Sequence, residues 1–258
     1  MNKHMTFALV TLFVMPALVG CLGNSPTSVA PGDLTNGYGA SEKSHHSEIN
    51  TNTGIVTVIH GVPGLTVDVY VNGALSLPSF APGTVTDAIE LPEDNYDIAI
   101  VPEGGNFPAD AVITGSAFLP AGANASIVAH LDEVGDPTLG VFVNDMSEIH
   151  GSMSRVVVRH VAAAPPVDID FFRPPVRKGA VLEVDNLANG NEAQADVRKR
   201  PYWATLYGVG SSDAVFTTPK INLSKSQSYV IYAWGSLGDG TFAIALQTIE
   251  LPKKRGRR

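Results

Sequence analysis

The sequence predicts an all-β protein: two tandem antiparallel β-sandwich modules, immunoglobulin-like or transthyretin-like, following a signal peptide and a flexible tether. Three observations predict it. The second half repeats the first. Val56–His60 (V-T-V-I-H) returns as Val156–His160 (V-V-V-R-H) and Val67-Asp68-Val69 as Val167-Asp168-Ile169, both 100 residues on, while Leu119–His130 aligns with Leu223–Trp234 at an offset of 104. Short β-branched and aromatic runs are separated by turn signals such as Pro63-Gly64, Asn72-Gly73 and Pro82-Gly83. Beyond the first twenty residues no stretch carries the apolar period of an amphipathic helix.

In chain order, residues 1–20 read as an export signal. Lys3 supplies the positive start, and Met5–Ala17 is apolar but too short to span a bilayer. Leu18-Val19-Gly20-Cys21 resembles a bacterial lipobox, which implies cleavage before Cys21 and lipidation of that residue. Cys21 is the one cysteine of the chain, so no internal disulfide forms and an apolar core must hold the fold. A membrane attachment through Cys21 follows, durable if it rests on more than one acyl chain. Leu22, where a retention signal would carry aspartate, points to the outer membrane.

Residues 21–53 are rich in Ser, Asn, Gly, Thr and Pro and poor in large apolar side chains, a tether that cannot bury enough surface to order itself. Its mean reach is about 30 Å. His45-His46 beside Glu48 reads as solvated linker rather than a metal site.

The first module spans 54–147. Its expected strands are Ile55–His60, Thr66–Asn72, Thr84–Leu91, Tyr96–Val101, Ala111–Phe118, Ala125–Leu131 and Thr138–Val143. Val67, Val69 and Val71 alternate with Asp68 and Tyr70, as in a sheet with one buried face, and Asn72-Gly73 signals a tight hairpin. The second module spans 153–252, with strands at Arg155–Val161, Val167–Phe172, Val181–Val184, Tyr202–Val209, Ala214–Thr217, Ser228–Trp234 and Thr241–Ile249. Arg173–Arg200 reads as an insertion with no counterpart, and 253–258 as a basic tail.

The strand ending in His60, the turn at Pro63, Val67–Gly73 (V-D-V-Y-V-N-G), Gly83-Thr84-Val85, Leu91-Pro92 and Tyr96 together resemble the bacterial family of domain of unknown function 4397. The resemblance covers 54–145 well. In the second copy it holds at Val156–His160 and Pro165–Ile169 and then departs, Phe172-Arg173-Pro174-Pro175 standing in place of the hairpin. It implies export and β architecture, and neither an activity nor a ligand.

The formal net charge is −8. Without the signal, 16 basic residues face 25 acidic ones; the tail holds five of the basic ones, so the body alone stands at −14. That balance excludes a general nucleic-acid binder, which must neutralise phosphates.

Chemistry has few footholds. His60 and His160 each precede an aspartate, Asp68 or Asp168, by eight residues, a pairing that could orient an imidazole as a general base and so gives the alternative of a hydrolase. No nucleophile recurs beside them, since Gly61 in one copy is Val161 in the other, and the bland reading is a structural repeat. His130 with Asp132, Glu133 and Asp136 reads as a solvated turn. No zinc, phosphate-loop or serine-hydrolase motif is present, so no catalytic residue, metal site or cofactor is expected. Aligning Tyr96–Val101 with Tyr202–Tyr207 sets Trp203 over the outward Asp97 and Tyr207 over Val101. Trp203, Tyr207 and Trp234 are therefore the candidate ligand-binding residues, suited to a glycan or an envelope protein partner. The expected function is a non-enzymatic binding or structural module on the cell envelope, or a lipoprotein recruiting a larger assembly.

Overall fold

The computed structural model describes residues 52–173, 180 and 182–253, all within one contact unit, Asn50–Arg258. Cys21, the signal segment, His45-His46 and the basic residues after Lys253 lie outside the described residues.

Eight strands build the first module: β1 (Thr53–His60), β2 (Val67–Val71), β3 (Ala74–Phe80), β4 (Ile89–Pro92), β5 (Asp94–Pro102), β6 (Ile113–Leu119), β7 (Asn124–Leu131) and β8 (Pro137–Val143). They form two sheets, β4-β1-β7-β8 and β3-β2-β5-β6. Nine build the second: β9 (Met153–Ala163), β10 (Val167–Phe172), β11 (Leu182–Leu187), β12 (Glu192–Arg198), β13 (Pro201–Gly208), β14 (Ala214–Thr217), β15 (Ile221–Asn222), β16 (Gln227–Ser236) and β17 (Ala243–Glu250). Their sheets are β12-β9-β16-β17 and β11-β10-β13-β14, with β15 added to β13. Strand for strand the two orders are the same. Among the described strands all pairs are antiparallel except one in each module, β1 with β7 and β9 with β16.

The registers repeat as well. His60 lies opposite Ala129 and His160 opposite Ala233; Asp68 lies opposite Val101 and Asp168 opposite Tyr207. Asn72 and Gly73 take positive φ (50° and 79°), the tight turn that the dipeptide signals. Asp68 and Asp168 hold matching bulges: their Oδ1 atoms accept the backbone N–H of Ser79 (2.9 Å) and Asn186 (2.8 Å), both at positive φ. Tyr96 and Tyr202 donate their hydroxyls to Pro92 O (2.7 Å) and Arg198 O (3.1 Å), bracing the same corner in each module.

Each module packs a core between its own sheets, around Val69, Ile98, Ile100 and Ile127 in the first and Ile169, Phe171, Leu206 and Ile231 in the second. A third core lies between modules. The outward faces of β4-β1-β7-β8 and β12-β9-β16-β17 meet through Ile59, Val128, Phe142, Val161, Val230 and Tyr232. Fully burying one such aliphatic side chain is worth about 1.5–3 kcal/mol, so the seam is a strong bond between the halves. Every residue of β7 is buried, and β9 is buried from Ser154 to Ala162.

Three details differ from the sequence expectation. Ala74–Phe80 is a strand that the reading of module 1 omits, while within Thr84–Leu91 only the stretch from Ile89 is strand, Val85 forming a single bridge to Ile59. The insertion has a counterpart after all: Arg173–Arg200 contains β11 and β12, which take the places of β3 and β4. The central strands of the facing sheets, β7, β9 and β16, bury both faces rather than one.

Candidate functional site

The repeated histidines are turn staples. At the end of β1, His60 Nε2–H donates to Leu65 O (2.8 Å) and Nδ1 accepts Val62 N–H (3.4 Å). At the end of β9, His160 Nε2–H donates to Pro165 O (3.1 Å) and Nδ1 accepts Ala162 N–H (3.5 Å). Both rings are buried, and burial holds both pKa values below the ordinary 6.5, the backbone hydrogen bonds acting the other way. Each imidazole is neutral, with both nitrogens bound to its own loop. Asp68 and Asp168 serve backbone amides instead; Asp168 Oδ2 also takes Gly210 N–H at 3.0 Å. Neither pair forms the hydrogen bond that a general-base reading requires.

His130, at the end of β7, donates Nδ1–H to Leu131 O (2.8 Å), and burial lowers its pKa too. Asp132 Oδ1 accepts the amides of Val134, Gly135 and Asp136, which makes this acidic loop a self-satisfied turn. Among the described residues no group of three or more His, Cys, Asp or Glu side chains is arranged to hold a metal.

The candidate aromatics separate into two places. Trp203 and Tyr207 lie on the outer face of β13, because Tyr202, Ala204 and Leu206 point into the core. Beside them on β10, Phe172 stacks on Trp203 with ring centres 6.4 Å apart and planes 25° apart. Asp170 pairs with Glu183 across β10 and β11, with Asp168 and Asp185 near; burial, then these neighbouring carboxylates, raise the Asp170 pKa. The outer sheet thus presents a half-exposed aromatic row bordered by carboxylates. Trp234 does not join it. It sits on the seam side of β16, where a Cβ on Gly83 would come within 2.8 Å of its ring and one on Gly61 within 3.2 Å of its own Cβ. Its Nε1–H is buried with no acceptor among the described residues. As a surface ligand residue, Trp234 is corrected to a packing residue between the modules.

The seam also holds a polar network that sequence reasoning missed. Arg159 is 1 % exposed. Its Nε donates to Glu192 (2.8 Å), one Nη to the Tyr232 hydroxyl (2.8 Å) and the other to Asn144 Oδ1 (2.8 Å). Its guanidinium carbon lies 4.6 Å from the Phe142 ring centre and 5.4 Å from that of Tyr232. The available signal was a charge inside the near-continuous apolar run Val156–Val161, where an unpaired cation would be costly. A second ion-paired residue, Arg155, reaches Asp145 (2.8 Å) and Asp196 (3.0 Å).

A family model described as Domain of unknown function (DUF4397) matches residues 54–170, which run from β1 through β10. No curated protein matches the chain. Among solved structures it is similar to the Bacillus anthracis TIE protein, at 8% identity over 70% of this chain and 33% of that one, with a TM-score of 0.25. This chain therefore spans about a third of that protein's length. It is also similar to a family CBM26 module of Eubacterium rectale Amy13K, solved in complex with maltoheptaose, at 11% identity over 74% of this chain and 95% of that one, with a TM-score of 0.23. At these scores neither likeness bears on fold or function.

Proposed function

From the premise that residues 54–170 carry a DUF4397 domain, a family described without a function, we propose an exported protein that binds rather than catalyses. Cys21 fixes it by lipid to the cell envelope, in the outer membrane, through the tether at 21–53. The second module offers its outer sheet to a glycan. The observation that carries this reading is the Trp203–Tyr207 row with Phe172, half-exposed on an open sheet face and edged by carboxylates. Aromatic faces stack on sugar rings, and carboxylates accept sugar hydroxyls. Trp203 and Tyr207 stand four residues apart on one strand, about 13 Å, which suits an oligosaccharide better than one ring. By contrast, the histidines that would serve a hydrolase are consumed by their own turns.

The test is sedimentation of the full chain with purified cell-wall and outer-surface glycans, beside the double variant Trp203→Ala, Tyr207→Ala. The reading expects at least tenfold weaker retention of the variant and little effect of salt on the wild type. Equal retention removes the site. Binding that vanishes with salt points to a basic protein partner, as for a lipoprotein that recruits an assembly, because screened charges and not ring stacking would carry it. Metabolic labelling with palmitate tests the anchor: label on the wild type and none on Cys21→Ser is expected, and label on both contradicts it.

A further inference from the structure

A second, independent site is built into the seam. A cleft of about 460 Å³ opens there, lined on one side by Thr57, Asn124 and Ala88 of the first module and on the other by Gln247 and its neighbours on β17. Asn124 and Gln247 are 8% and 7% exposed, so each is more than nine-tenths buried.

Arg159 fixes which way both carboxamides point. A guanidinium only donates. Asn144 must therefore present Oδ1 to Arg159 (2.8 Å), which leaves its Nδ2 to donate to Asn124 Oδ1 (2.7 Å). The Tyr232 hydroxyl accepts from Arg159 (2.8 Å) and so gives its own proton to Gln247 Oε1 (2.6 Å), which Ser126 Oγ also reaches (3.1 Å). Both carboxamide oxygens are thus spent inside the seam. Asn124 Nδ2 and Gln247 Nε2 donate to no described group, and neither is among the sealed-in unpaired atoms, which are Ser226 Oγ and Trp234 Nε1. Two aimed N–H₂ donors, with the hydroxyl of Thr57 (3% exposed) between the same walls, open onto the cleft.

Such a floor calls for a ligand rich in oxygen acceptors. Asp87 and Glu250 line the same cleft and repel anions, while their carboxylates accept hydroxyl protons. We propose that the seam cleft binds one neutral, polyhydroxylated molecule of sugar size, held by Asn124, Gln247 and Thr57. Because walls from both modules complete it, the site exists only in the paired form.

The experiment follows the side-chain N–H₂ signals of Asn124 and Gln247 by ¹H–¹⁵N NMR, using the full chain in a sugar-free detergent. Glucose and N-acetylglucosamine are titrated, with sodium acetate as the anionic comparator. Saturable shifts of both signals with a sugar, and none with acetate, are expected. Ala88→Trp, at an exposed position on the cleft wall, should weaken the response at least tenfold, as should Asn124→Asp, which keeps the oxygen for Asn144 and loses the donor. Absence of saturation by about 50 mM of either sugar, beyond even a millimolar dissociation constant, overturns the proposal. So does an equal response to acetate, or an undiminished response in a folded Ala88→Trp protein. Loss of Trp203 and Tyr207 should leave these shifts unchanged, which separates failure here from failure of the outer-face reading.

Discussion

Mild acid should destabilise this protein, and three buried histidines set the direction and the limiting steepness of the effect. His60, His130 and His160 are 1%, 3% and 1% exposed, and burial holds each pKa below 6.5. Between 6.5 and those lowered values the unfolded chain binds more protons than the folded one. Stability is therefore complete above pH 6.5 and falls as pH drops toward the folded-state pKa values. Each histidine contributes a limiting slope of about 1.4 kcal/mol per pH unit, and three acting together about 4 kcal/mol per unit. Asp145, with a lowered pKa, adds its loss only near and below 3.8, and Asp170, with a raised one, acts with opposite sign in a window beginning at 3.8. Urea unfolding between pH 7.5 and 5 isolates the histidines. The expected result is a midpoint that is flat above pH 7 and falls steeply below 6.5. Replacing both turn histidines (His60→Gln, His160→Gln) should lower stability at pH 7.5 and remove about two-thirds of the slope. A slope that is absent, or unchanged in the double variant, would refute the assignment of these rings as neutral turn staples.

Other outcomes follow from single contacts. Arg159→Met should cost about 3 kcal/mol in urea unfolding, the low end for a broken buried pair because Glu192 keeps some solvent. Gly83→Ala should cost about 2 kcal/mol, since φ is +78° and the new Cβ would meet the Trp234 ring at 2.8 Å, and it should shift the tryptophan emission. Tyr96→Phe and Tyr202→Phe each remove one equivalent hydrogen bond, and thermal unfolding should report about 1 kcal/mol for each.

Much of this fold is legible in sequence because the repeat is carried by residues with local jobs. His60 and His160, Asp68 and Asp168, Tyr96 and Tyr202 recur because each bonds a backbone group of the same turn, bulge or corner. Edge strands were harder. Ala74–Phe80 contains Pro78 and a bulge at Ser79, and Glu192–Arg198 is dominated by polar side chains, so neither shows clean alternation. The seam was hidden for a different reason. Which of two equally apolar faces meets a partner module depends on distant residues, and a local pattern reports only that both faces are apolar. Val156-Val157-Val158 did report that, as buried strands do. The outward placement of Trp203 was readable through alignment with the exposed Asp97, and Tyr207 follows from strand alternation, whereas nothing local to Trp234 marks that β16 turns this side chain toward the first module.

Native-state hydrogen exchange on β7 and β16, the strands central to the two facing sheets, tests most directly whether the halves are one body. With a shared core and Arg159 bridging to Asn144, Ile127 and Ile231 amides should exchange only through the same global opening, with equal free energies at each urea concentration. An Ile127 amide that opens about 2 kcal/mol or more below Ile231 would show two separable modules and contradict the account.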